Sequence, residues 1–180
     1  MSKLAAFVFK LLGWTIVGEI PPQFKKYVII GAPHTSNWDF FYGRLYFFVF
    51  NIPVRFFIKK EWFFFPMNLL LHSLGGIPVN RAKNTKMTEE IVKSFNEREK
   101  LAMLVTPEGT RKYNPDWKKG FYYIALKAKV PIVMGFIDYP TKTSGIGPYL
   151  YPSGDIDADM KIILDFYRTK RGRFPNQGVR

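Results

Sequence analysis

The chain has no cysteine and only two histidines, His34 and His72, among its 180 residues. The first absence excludes disulfides, thiolate nucleophiles and cysteine-ligated metals, and is compatible with a reducing cytoplasm. The second, with no cluster of His, Asp and Glu around either ring, leaves no basis for a histidine-ligated metal. Acids are scarce too: 14 Asp plus Glu against 27 Lys plus Arg, a net charge of +13. Uninterrupted apolar runs are also missing. Residues 3–17 are apolar but fall short of the ~20 residues that a bilayer span requires. Lys10 breaks them where a signal peptide would carry its core, and no small-residue cleavage pattern follows. Arg44, Arg55, Lys59 and Lys60 likewise interrupt the aromatic stretch that follows.

What is plentiful is aromatic surface: 18 Phe, 10 Tyr and 4 Trp, 18% of the chain. A basic, Phe-rich protein points either to nucleic acid or to an anionic membrane surface and phosphorylated ligands. The length suits one domain, with no internal repeat and no dividing linker. Residues 3–17 read as a short helix with Leu4, Phe7, Val8, Leu11 and Leu12 on one face. Residues 1–20 are thus expected as a membrane-surface helix or, equally, as a core helix. Apolar runs at 26–31, 54–58, 101–105 and 131–137 read as strands, with shorter ones at 75–81 and 149–151. Helices are expected from Ser36 to about Phe50, over 86–100, at about 121–129 and at about 157–169. Thr141 to Pro148 reads as a Gly/Pro-rich link, and residues 170–180 as a loose basic tail. The alternation predicts an α/β fold: a single domain with a mixed, mostly parallel sheet flanked by helices.

The chain is organised around Gly31-Ala-Pro-His-Thr-Ser-Asn-Trp-Asp-Phe40. Pro33 keeps Ala32 extended, so the strand ends in a turn that presents His34. Ser36-x-x-Asp39 has the form of a capping box, with a hydroxyl at the N-cap and an acid three residues on. In a continuous helix, positions five apart point about 140° from each other. With His34 in the turn and Asp39 in the first helical turn, the carboxylate can swing back to the imidazole. It would then fix the ring tautomer and support the imidazolium. The plainer alternative is a helix cap beside a satisfied turn histidine. His72 has apolar neighbours and reads as structural.

Two further strand ends carry polar residues: Arg81 after Gly75-Gly-Ile-Pro-Val-Asn, and Glu108, Gly109, Thr110 and Arg111 in Thr106-Pro-Glu-Gly-Thr-Arg111. In open α/β sheets ligands gather beyond the carboxyl ends of strands. A histidine–carboxylate pair with two arginines suits a reaction on a phosphate-bearing alcohol, because arginine grips phosphate with two parallel donors. Taken singly, Arg81 could be a solvated strand end, and Arg111 a surface ion pair with Glu108.

Four blocks in this order resemble the glycerophosphate and lysophospholipid acyltransferase family: His34-Thr-Ser-Asn-Trp-Asp39, Gly75-Gly-Ile-Pro-Val-Asn-Arg81, Pro107-Glu-Gly-Thr-Arg111 followed by Lys118-Lys-Gly120, and Val130-Pro-Ile-Val133. Pro33 stands where many members have Asn, and Met134 where many have Pro. The resemblance implies an O-acyltransferase in which His34 is the general base on an acceptor hydroxyl and Asp39 orients it. Arg81 and Arg111 would hold the acceptor phosphate, with Glu108, Gly109 and Thr110 shaping that site. The acyl group would come from an acyl thioester, acyl-CoA or acyl carrier protein, and move to a lysophospholipid-type acceptor with no acyl-enzyme and no cofactor or metal. Lys118, Lys119 and the tail are candidates for the donor's acidic groups. Peripheral attachment to the cytoplasmic face of the membrane, through an anionic surface, is expected, and nucleic acid is not. The alternatives are a non-catalytic basic protein that binds lipid surfaces or nucleic acid, and a hydrolase using His34 and Asp39 to activate water.

Overall fold

The structure, a computed structural model, describes residues 2–79 and 84–180. Among them, seven strands form one sheet: β1 (Thr15–Val17), β2 (Lys26–Ala32), β3 (Val54–Lys59), β4 (Gly76–Val79), β5 (Leu101–Val105), β6 (Ile132–Asp138) and β7 (Thr143–Leu150). Their spatial order is β1-β7-β6-β2-β5-β3-β4, and every pairing is parallel except β6 with β7. The helices are α1 (Lys3–Leu11), α2 (Asn37–Val49), α3 (Met67–Ser73), α4 (Asn84–Glu97), α5 (Gly120–Ala128) and α6 (Ile156–Arg168). This is the expected single α/β domain with a mostly parallel sheet.

β2 and β6 are central, covered on both faces, and therefore apolar without alternation. Their side chains still divide by the two-residue period of a strand. Val28, Ile30 and Ala32 join a cluster with Ile91, Phe121, Ile163 and Tyr167 from α4, α5 and α6. Tyr27 and Ile29 join the opposite cluster with Ala5, Phe9, Tyr46 and Phe47 from α1 and α2. The connections from β2 to β3 and from β3 to β4 both move toward the same sheet edge. The right-handed crossover rule therefore puts α3 on the same face as α2.

Three expectations are corrected. The helix expected over 3–17 stops at Leu11, because Gly13 takes a left-handed φ of 72°. The Trp14 N–H then closes on the Phe9 carbonyl and the Gly13 N–H on that of Lys10, a Schellman stop. The chain continues as edge strand β1. Only Ala5 and Phe9 of α1 are buried; Leu4 and Leu11 of the apolar face read from sequence are 74% and 73% exposed. Residues 141–148 are mostly strand rather than link. Gly145 and Gly147 are there because a side chain would collide with the Val17 carbonyl oxygen and the Phe166 ring, so they mark close packing and not a turn. The tail is folded: Gly172 and Gly178 are buried, and Val179 packs on the core.

Candidate functional site

β6, β2 and β5 lie side by side and parallel, with Ala32 paired to Phe136 and Ile30 to Val105. Their carboxyl ends therefore release three loops at one edge of the sheet. The chain leaves β2 toward β3 and leaves β5 toward β6, in opposite directions, which opens a crevice between α2 and α5. A cavity of about 1480 Å³ fills that crevice; His34, Asn37, Asp39, Thr110 and Arg111 line its polar part.

Ser36 is the N-cap of α2, with its Oγ accepting the Trp38 N–H at 3.2 Å. Asp39 completes the capping box, and its Oδ2 accepts the N–H groups of Ser36 at 2.8 Å and Thr35 at 2.7 Å. The same oxygen lies 3.3 Å from His34 Nδ1. Capping and histidine contact are thus two uses of one carboxylate. Asp39 is buried, while the imidazole is partly open to the cavity. With Nδ1 facing the carboxylate, the tautomer carries its proton there and leaves the Nε2 lone pair for an incoming proton. The other oxygen, Oδ1, accepts the hydroxyl of Tyr139 at 2.7 Å.

The loop after β5 opens with a tight turn in which the Gly109 N–H bonds the Thr106 carbonyl at 3.1 Å, with Pro107 at the position that favours proline. Gly109 has φ 67°, and a Cβ there would stand 2.8 Å from Lys118 Cε. Glu108 does not line the cavity. It is 3% exposed and turned inward, where its Oε2 accepts the His34 N–H at 2.8 Å. Glu108 thus braces the loop after β5 against the loop that carries His34. Burial also pushes its carboxyl up to about 7, against the opposing pull of the His34 N–H. Arg111 makes no ion pair with Glu108; its Nη1 donates to Asn37 Oδ1 at the start of α2. Thr110 is exposed, and its Oγ1 accepts the Lys112 N–H. Lys118 and Lys119 line the cavity on the α5 side. Arg81 lies outside the described residues. His72 sits on α3 beside Phe63 and is not among the cavity residues. Among the described residues no group of three or more His, Asp or Glu side chains could hold a metal.

From the polar end, an apolar branch runs under α2 between Phe40, Gly43, Phe47, Phe56 and Leu104. The arrangement pairs an imidazole–carboxylate contact with an apolar groove and a cation at its mouth.

A family model described as Acyltransferase matches residues 15–135. The chain belongs to the acyltransferase family. The human 1-acyl-sn-glycerol-3-phosphate acyltransferase beta is 39% identical over 42% of this chain, and the match spans only 29% of that protein. The crystal structure of the 1-acyl-sn-glycerophosphate (LPA) acyltransferase PlsC from Thermotoga maritima superposes with a TM-score of 0.62 at 22% identity, covering 91% of this chain and 73% of that one. This likeness shows a shared acyltransferase fold. Two residues of the site lie outside the set expected from sequence: Asn37, which holds Arg111, and Tyr139. Tyr139 stands six positions beyond Val133 of the fourth block, just past the end of β6, and the only signal for it is a hydroxyl-bearing side chain at a strand end.

Proposed function

We propose that this protein moves a fatty acyl group from an acyl thioester to the hydroxyl of a lysophospholipid-type acceptor. The observation that carries the reading is the His34–Asp39 contact of 3.3 Å at the head of an apolar groove. His34 Nε2 takes the acceptor's hydroxyl proton as that oxygen attacks the thioester carbonyl carbon. The tetrahedral adduct collapses, the carbon–sulfur bond breaks, and the imidazolium returns the proton to the departing thiolate. Atoms balance without an acyl-enzyme. Asp39 supports the imidazolium throughout. Arg111 holds the acceptor phosphate at the cavity mouth, with Arg81 as its second partner, and the groove beneath α2 receives an acyl chain. Lys118 and Lys119 face the acidic groups of the donor, acyl-CoA or acyl carrier protein. The names of the human and Thermotoga relatives, both acylglycerophosphate acyltransferases, support an acylglycerophosphate acceptor.

The acceptor is a lipid, so the protein works at a membrane surface. Leu4, Phe7 and Leu11 of α1 project from the α2 face, and Phe65, Leu69 and Leu70 are exposed in and beside α3 on that same face. Exposed apolar clusters of this kind, on a chain of net charge +13, suit an anionic leaflet. No helix among the described residues is long and apolar enough to cross a membrane. The reading includes peripheral attachment on the cytoplasmic side.

A donor–acceptor panel read by product mass spectrometry tests it, with His34→Ala as control. Acylated phospholipid from the wild type and at least a thousandfold less from the variant is expected. Thioester cleavage without acceptor would make the protein a hydrolase. Binding to vesicles or nucleic acid with no turnover in either protein would make it a binder.

A further inference from the structure

The C-terminal segment crosses the outside of the loop that carries His34. Arg171 N–H donates to Asp138 Oδ1 at 2.8 Å, and the Arg171 carbonyl accepts the Tyr139 N–H at 3.0 Å. Phe174 N–H donates to Thr35 Oγ1 at 3.3 Å. Gly172 lies so close to Thr35 that an added Cβ would stand 2.5 Å from its Oγ1. Gly178 borders Pro33, and the Arg173 guanidinium lies 5.8 Å from the Trp38 ring centre. The residues it touches between β2 and Asp39, namely Pro33, Thr35 and Trp38, are each the chain neighbour of His34 or Asp39. From the other side, the Tyr139 hydroxyl donates to Asp39 Oδ1, and its ring is held edge-on by Trp14 at 5.1 Å.

We infer that Tyr139 is the positioning residue for Asp39, and that Arg171–Gly178 is a strap that fixes the His34 loop. The inference rests on His34 acting as the base. Asp39 Oδ2 faces two backbone N–H groups and the imidazole, while Oδ1 has the Tyr139 hydroxyl as its hydrogen-bond donor. Without that donor the carboxylate can turn about its Cβ–Cγ bond and exchange oxygens. The donor also draws charge toward Oδ1, away from the histidine. Burial, with Asp39 next, pushes the Tyr139 phenol far above its ordinary range, so it remains a donor at every working pH. The other ionisable groups around the pair are Glu108 on the His34 N–H, Arg111 at Asn37, and Arg173 and Tyr42 beside Tyr139. Of these, none donates to Oδ1.

Tyr139→Phe keeps the ring and removes the hydroxyl. The test follows the His34 imidazole by NMR titration, with His72 as internal reference, alongside steady-state kinetics. The titration midpoint of His34 is expected to rise while that of His72 stays, and the acid limb of kcat/KM to move with it. kcat should fall about tenfold, with both KM values within twofold, since a hydrogen bond to a charged group is worth roughly that factor. Thr35→Val retains shape and removes only the oxygen that Phe174 reaches; its kcat should fall about threefold at constant KM, and this arm decides the strap as Tyr139→Phe decides the Asp39 contact. An unmoved His34 titration with unchanged kcat, or a loss appearing only in KM, overturns the inference. If the wild type transfers no acyl group, the proposed function fails, and the NMR arm still decides whether Tyr139 governs the pair.

Discussion

Glu108 Oε2 accepts the backbone N–H of His34 at 2.8 Å, so a carboxyl that is almost wholly buried ties the loop after β5 to the loop after β2. Its proton affinity has a thermodynamic consequence. A glutamate titrates near 4.5 when unfolded and, through burial, at about 7 here. Below 4.5 both states hold the proton and the group does not affect pH dependence. Between 4.5 and 7 the folded state keeps a proton that the unfolded state has lost, so stability falls as pH rises, by on the order of 3 kcal/mol in full. Glu108→Gln keeps an acceptor for the His34 N–H and removes the titration. Urea unfolding from pH 4.5 to 8 should show a decline in the wild type that is absent in the variant. Parallel curves would mean that Glu108 is ionised throughout.

Arg111 is placed by Asn37 rather than by an acid, so its charge is not neutralised at the cavity mouth. A guanidinium in that state is suited to a phosphate. Arg111→Ala should raise the acceptor KM by about 10- to 100-fold, the worth of one or two charge-assisted bonds, with donor KM unchanged. Asn37→Ala should give a smaller rise, because the guanidinium survives but loses its support. An acceptor KM unmoved in Arg111→Ala would take the residue out of this role.

The residues that could be read from sequence are those whose chemistry and local structure coincide. Ser36 and Asp39 are legible because capping boxes are written at fixed spacing, and the strands β2, β5 and β6 because buried parallel strands need unbroken apolar runs. The outward turn of Leu4 and Leu11 was not legible. An amphipathic helix has the same periodicity whether its apolar face meets the core or a lipid. β7 was hidden by the turn composition of Gly145, Gly147 and Pro148, and the two glycines are there for packing against β1 and α6. The Tyr139–Asp39 bond joins residues 100 positions apart, and the strap joins Thr35 to Phe174 across 139. No local pattern can encode either.

The exposed face of α1 provides a test of surface attachment that leaves folding untouched. Leu4, Phe7 and Leu11 are 74%, 60% and 73% exposed, so their replacement costs little core packing. Transfer of each side chain into a lipid interface contributes ~1 kcal/mol at about 25 cal/mol per Å². The triple serine variant should therefore bind phosphatidylglycerol vesicles roughly 100-fold more weakly, with an unchanged thermal midpoint. Equal partitioning by flotation would exclude α1 from the contact, leaving α3 and its flanking loop.

Gly43 sits in mid-helix on α2, lines the apolar branch of the cavity, and has nothing within 4 Å of where a Cβ would be. A glycine inside a helix costs roughly 0.5–1 kcal/mol relative to alanine, so its retention asks for a reason, and the empty space beside it supplies one. If an acyl chain occupies that branch, side-chain volume at this position takes room from methylenes. Gly43→Ala should raise stability by up to ~1 kcal/mol and leave chain preference nearly unchanged. Gly43→Leu should shift preference toward shorter acyl donors, with a loss of about fourfold in kcat/KM for each methylene excluded, the equivalent of ~0.8 kcal/mol of burial. Competition between donors of different length, read by product mass spectrometry, measures the shift. A uniform loss across all lengths would place the chain elsewhere in the cavity, since a narrowed groove must discriminate against the longest donor first.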